Sequence, residues 1–143
     1  MNKPLCLLLL ALCGCVAPAD GPRLEVVRSW PAAEANQGVA VDAEHFYAID
    51  DKAIGKYEKA TGRKVAEWKA PKDSGIIHMN AGVVVDGRLY VAHSNFPAKP
   101  DASSIEIFDV RTLRPVDRKV FDEPIGSLTW ALPEGAGWLV CFA

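Results

Sequence analysis

The chain has 143 residues, with 16 Lys and Arg against 18 Asp and Glu, a net charge of −2, and hydrophobic residues making up half of it. That length allows one small domain with a modest core, not several domains. Both charge signs are interspersed and no basic block interleaves with aromatic residues, so the composition excludes a nucleic-acid partner.

Met1-Asn2-Lys3 carries one positive charge, Leu5 to Leu12 is an unbroken apolar run, Cys13 to Ala19 is rich in small residues, and the first acid is Asp20. This order reads as a secretory signal over residues 1–19, and the run is shorter than the roughly 20 apolar residues a membrane span needs. Export is therefore expected, and two cleavage sites compete. Ala17-Pro18-Ala19 is an A-x-A site that would release a protein beginning at Asp20. Leu12-Cys13-Gly14-Cys15 resembles a bacterial lipobox, with Cys13 standing where a small or aliphatic residue is usual. That resemblance, which we favour, implies lipidation at Cys15, and Val16 after it implies outer-membrane sorting. The product would be a periplasmic or outer-membrane lipoprotein that meets the membrane only through its anchor. Cys6 and Cys13 leave with the signal and Cys15 is lipidated or removed. Cys141 then stands alone, so no internal disulfide is expected, and it reads as a buried strand residue.

Leu24 to Trp30 comes next and reads as a strand ahead of the first repeat, its Val27-x-x-Trp30 ending matching Val65-x-x-Trp68. Three segments then start alike: Gly38-Val39-Ala40-Val41-Asp42, Gly82-Val83-Val84-Val85-Asp86 and Gly126-Ser127-Leu128-Thr129-Trp130, with their glycines 44 residues apart both times. Each is followed by a turn and a second apolar run, Phe46 to Ile49, Leu89 to Ala92 and Trp138 to Cys141. The first two units continue with a third strand, Ile54 to Glu58 and Ile105 to Asp109, a matching Thr61 and Thr112, and a fourth strand, Arg63 to Trp68 and Val116 to Phe121.

Four short strands in about 44 residues, rich in β-branched and aromatic residues and separated by turn chemistry, form the period of a β-propeller blade. No connection carries the 3.6-residue apolar stripe that a parallel αβ repeat requires. The alternative is a small antiparallel sandwich, which the matched order of four strands disfavours. The expected fold is all-β, with residues 20–143 a partial β-propeller in blades at about 36–71, 78–122 and 125–143. That amounts to about 2.4 four-stranded blades of a ring of roughly six to eight. The repeated glycine fits innermost strands that crowd together. Blades with apolar faces and no neighbour are expected to leave residues 20–143 unstable as a monomer, with strand 24–30 seeking partners beyond residue 143.

Tyr90-Val91-Ala92-His93 followed by Ser104-Ile105-Glu106-Ile107-Phe108-Asp109 resembles the bacterial YVTN-type β-propeller repeat, over residues 36–142. A more distant likeness, in Gln37-Gly38 through Asp50 and Ile54 to Gly62, is to gluconolactonase-type propellers. That likeness implies a divalent metal cofactor. Those enzymes carry a metal-ligating Glu before the first strand's glycine, and Gln37, a neutral and poorer ligand, stands there.

In a propeller, the connections entering the innermost strand share a face with the hairpins between the second and third strands. The expected ligand-binding candidates on that face are Asn36, Gln37, His78 and Asn80 from the connections, and Asp50, Asp51, His93 and Asn95 from the hairpins. Asp50 and Asp51 also suit an ordinary turn. His78 and His93 could ligate a metal or act as acid and base, because imidazole titrates near neutral pH; both also suit hydrogen-bonded surface positions. The second hairpin, Ser94 to Ser103, is longer than its counterpart and contains Phe96-Pro97 and Lys99-Pro100, and long loops on a rigid scaffold are where binding concentrates. Trp30, Trp68, Trp130 and Trp138 read as packing residues. No H-E-x-x-H, C-x-x-C, nucleophile elbow or phosphate-binding glycine loop is present. The sequence thus favours an exported propeller that binds a small-molecule ligand or partner protein on its upper face. The alternatives are a propeller enzyme acting on a small molecule, such as a lactone hydrolase or muconate-type cycloisomerase, and an inactive fragment.

Overall fold

The computed structural model describes residue 21 and residues 24–143. The leader, both cleavage sites and Cys15 lie outside the described residues. Ten strands follow in order: β1 (Gly38–Val41), β2 (His45–Asp50), β3 (Ala53–Glu58), β4 (Lys64–Lys69), β5 (His78–Val85), β6 (Arg88–Ser94), β7 (Ser103–Asp109), β8 (Arg114–Phe121), β9 (Leu128–Glu134) and β10 (Gly137–Phe142). They form two four-stranded antiparallel sheets, β1-β2-β3-β4 and β5-β6-β7-β8, and a two-stranded sheet of β9 and β10. The chain is all-β. Among the described residues no helix is long and apolar enough to cross a membrane.

Local chemistry explains the hairpins. Asp86 and Gly87 join β5 to β6 as a two-residue loop with φ of 46° and 73°, the twist that suits a right-handed strand pair. The β3–β4 and β7–β8 turns repeat one another. Gly62 and Leu113 take positive φ, 72° and 52°, and their amides donate to the carbonyls of Glu58 and Asp109, each at 2.8 Å. The hydroxyls of Thr61 and Thr112 donate to the carboxylates of the same two acids, at 2.7 and 3.0 Å. Backbone and hydroxyl donation from Thr112, with Arg88 beside it, holds the Asp109 carboxyl down at about 2.

The sheets pack in sequence, each on the next. Tyr47, Ile49 and Ile54 of the first sheet meet Met79, Leu89, Val91 and Phe108 of the second in one core. Ala92, Ile105 and Ile107 on the other face of the second sheet meet Leu128 and Ala131 of β9 in another. Neighbouring residues of β6 therefore point into different cores, as the two-residue period of a strand requires. Trp68 packs edge-on against Phe108 at 4.8 Å between centroids, and Trp138 lies 4.7 Å from Tyr90, so both act as packing residues. Gly38 and Gly82 answer to close approach. A Cβ on Gly38 would lie 2.7 Å from the Ala81 Cα, and one on Gly82 would lie 2.8 Å from the Ile49 Cδ1.

Two expectations need correction. Leu24 to Trp30 forms no strand, because its backbone finds no ladder along any of the ten strands. Leu24, Val26 and Val27 are exposed, and among the described residues the segment's side-chain hydrogen bonds lie near its end. Arg28 Nη1 donates to Ala60 O and Trp30 Nε1 to Lys59 O, both at 3.1 Å, while the indole fills the space where Gly62 has no side chain. Secondly, His78 and Asn80 belong to β5 and His93 to β6, not to connections. The β5–β6 ladder continues past a bulge between Met79 and Gly82 up to His78 opposite Ser94.

Candidate functional site

The upper end of the sheets gathers the β2–β3 turn, the β6–β7 loop at residues 95–102 and the start of β5. Asp51 follows β2, and its carbonyl accepts from the Met79 amide at 3.0 Å, which ties the first sheet to the second. That tie brings His78 beside the Asp51 side chain. His78 Nδ1 lies 2.8 Å from Asp51 Oδ1, and Gln37 Nε2 donates to the same oxygen at 2.8 Å. A carboxylate facing Nδ1 fixes the ring's orientation and tautomer and leaves Nε2 as the working nitrogen. Among the described residues His78 Nε2 makes no hydrogen bond.

His78 lines a cleft of about 350 Å³ with Asn80, Phe96, Lys99, Ser127 and Thr129. Phe96 is 54% exposed, and its ring centroid lies 5.3 Å from the imidazole at a tilt of 41°. Asn80 Nδ2 donates to Leu128 O at 3.0 Å, which places its amide across the gap between β5 and β9. Lys99 on the rim holds both oxygens of Asp101, at 2.6 and 2.7 Å. Asn95 closes the loop from beneath: its Oδ1 accepts from Ala102 N at 2.8 Å and its Nδ2 donates to Pro100 O at 2.9 Å.

The expected residues therefore divide. Gln37, Asp51 and His78 converge on one oxygen, and Asn80 joins His78 in the cleft. Asn95 shapes the loop that carries Phe96 and Lys99. Asn36 stays outside, exposed, its amide donating to Ala33 O at 3.2 Å. Asp50 ends β2 opposite Ala53. His93 is buried elsewhere. Its Nε2 accepts from Ile77 N at 3.3 Å, its Nδ1 sits 2.9 Å from Ser104 Oγ, and that hydroxyl donates to Glu106 Oε1 at 2.7 Å. Arg118 Nε closes the chain at 2.7 Å from the same carboxylate. Burial holds the His93 imidazole below its usual range, despite the nearby Glu106 carboxylate.

Sequence reasoning did not single out Ser104, Glu106 or Arg118. Their signal was a lone acid inside the apolar run Ile105-Glu106-Ile107 with a base in the following strand. Among the described residues no group of three or more His, Cys, Asp or Glu is placed to hold a metal ion. At the upper end, Asp51 and His78 are the metal-binding types, Asp51 already accepts two hydrogen bonds on one oxygen, and Gln37 turns its nitrogen inward. These residues do not fit a divalent metal. No family model matches the chain, and no curated protein does either.

Proposed function

We propose that the chain forms consecutive blades of an exported β-propeller of the YVTN-like kind, and that the cleft at His78 binds a small-molecule ligand. The carrying observation is the convergence of Gln37 and His78 on Asp51 Oδ1, both at 2.8 Å, beside an open cleft. Two side chains, one ahead of β1 and one at the start of β5, held by a single carboxylate oxygen define a built site, because each would otherwise be free to solvate separately. The propeller reading is supported by sheets repeated at 44 residues, stacked one on the next with glycines at the closest approach.

An oriented imidazole with a free Nε2 also supports a second reading, that of an enzyme on a small molecule, since it is the arrangement a general base requires. Binding is preferred because, among the described residues, no acidic side chain lines the cleft and no hydroxyl or thiol hydrogen-bonds His78.

A mixed set of small fragments, followed by NMR shifts of the whole chain, tests the ligand reading. We expect fragments to perturb His78 and Phe96 and to lose that effect in His78→Ala. Fragments that perturb only the hollow of Ala43, His45 and Lys59 at the other end of the first sheet, or that bind His78→Ala equally well, would overturn it.

A further inference from the structure

The connection from β4 to β5, residues 70–77, is held largely by its own bonds. Ala70 N donates to Lys52 O on the first sheet at 2.8 Å, and Ser74 bonds back to Pro71 O through both its amide and its hydroxyl, at 3.1 and 2.8 Å. Ile76 is buried in the core between the sheets. Just before β5 begins, Ile77 N–H donates across to His93 Nε2 at 3.3 Å. The next two residues carry the joint between the sheets, His78 on Asp51 Oδ1 and Met79 N on Asp51 O.

The acceptor for Ile77 is of a kind that acid converts into a donor. Because Nε2 accepts, the ring is neutral and its proton lies on Nδ1, toward Ser104 Oγ. A second proton must enter at Nε2, where it meets the Ile77 N–H; two donors then face each other and the bond is lost. The charged groups facing the ring are Glu106 of β7, Arg118 of β8 and His78 of β5, with Glu106 favouring the imidazolium and the other two opposing it. Lys72 and Asp73 of the connection are exposed, and Asp51 is taken up by His78. A hollow of about 190 Å³ along the ring, lined by Gly75, Ser104 and Arg118, gives the connection room to move. Burial holds the imidazole below its usual range, so acid favours a form in which the ring has reached water.

We propose that residues 74–77 are a proton-operated latch: a proton arriving at His93 Nε2 unhooks Ile77 and, through it, loosens the grip of Asp51 on His78 and Met79. Ile76 stays in the core, so the release is confined to Ile77 and the start of β5. The latch stands whether or not the cleft holds a ligand.

Amide hydrogen exchange of the whole chain, followed by NMR from about pH 8 to about pH 5 and divided by the intrinsic rate at each pH, tests it. Protection at Ile77 and Met79 is expected to fall as the pH drops below about 6.5, by up to about tenfold per pH unit, the limit for one linked proton. Val91, in the middle of the second sheet, should stay at least about tenfold better protected, and low urea should leave the Ile77 opening unchanged, because that opening exposes little surface. His93→Gln keeps an oxygen for Ile77 N–H and cannot titrate, so the acid response should vanish there, whereas His78→Gln should retain it at Ile77. If His93→Gln does not fold, the comparison of Ile77 with Val91 in the wild type still decides. Ile77 exchanging in step with Val91 would mean that the whole chain unfolds, and that overturns the latch, as does Ile77 protection that ignores pH. Met79 unmoved while Ile77 opens would overturn the transmission to Asp51.

Discussion

At the upper end of the second sheet two histidines stand on adjacent strands, His78 on β5 and His93 on β6, with Met79 opposite His93 in the ladder and Ser94 opposite His78. Each has a carboxylate within reach, Asp51 at 2.8 Å and Glu106 at 3.7 Å. His78 keeps one nitrogen free and faces a cleft. His93 has both nitrogens engaged and is 6% exposed. Because Ile77 N–H donates to its Nε2, the His93 proton sits on Nδ1 and points to Ser104, whose own proton goes to Glu106. The same residue type is therefore a presented group on one strand and an internal strut on the next, and the number of unclaimed ring nitrogens separates them.

The strut should matter most to stability. Glu106→Ala leaves Arg118 and the Ser104 hydroxyl without their acceptor, and it is expected to cost about 3 kcal/mol, the low end for breaking a buried ion pair, since Arg118 keeps some contact with water. Urea denaturation measures this, and a loss near zero would mean that solvent replaces the carboxylate. His93→Ala orphans the Ile77 amide and removes buried ring contacts, with an expected cost of about 1–3 kcal/mol in the same assay. Fragment-induced shifts at His78 and Phe96 should be unchanged in that variant, which sharpens the division between the two histidines.

The pH dependence should follow His93. Its folded-state pKa is depressed below 6.5. Above that value its contribution is fully present. As the pH falls below it, the unfolded chain takes up a proton that the folded chain refuses, and the contribution is gone once the pH passes the folded pKa. Stability followed by urea from about pH 8 to about pH 5 should decline in wild type and decline less in His93→Ala. Equal slopes would place the titration elsewhere. The smallest effect is expected from His78→Ala, within about 0.5 kcal/mol, because its partners reach water once it is gone. A larger loss would make His78 a strut as well and erase the contrast.

The strands themselves were legible because the 44-residue spacing repeats both strand order and turn chemistry; Thr61 and Thr112 mark the same turn. The site was legible by halves. Gln37, Asp51 and His78 could be put on one end from strand order, but strand order carries no information about which atoms meet. His78 and Asn80 read as connection residues because the repeat starts its strand at Gly82, four residues after His78. They extend β5 because Asp51 O and Leu128 O supply bonds from outside the sheet, and a local pattern cannot register such partners. Glu106 reads only as a variable position inside the repeat strand Ile105 to Asp109, because its partners, Ser104 aside, lie on other strands. Leu24 to Trp30 had strand composition without a partner strand among the described residues, and composition alone makes no ladder.

Gly62 and Leu113 hold the same left-handed turn, yet the two are not equivalent. Leu113 is 2% exposed and its side chain fills the core between the sheets, so packing offsets the unfavourable φ. Gly62 has the Trp30 indole where a side chain would begin, 2.6 Å from the position of a Cβ. The empty position works as a seat that fixes where the incoming chain enters the array. Each unit is thereby written for its place in the order. A chain with its two repeats exchanged would keep the period and the strands, but Trp30 would arrive at a leucine and the core would receive a glycine.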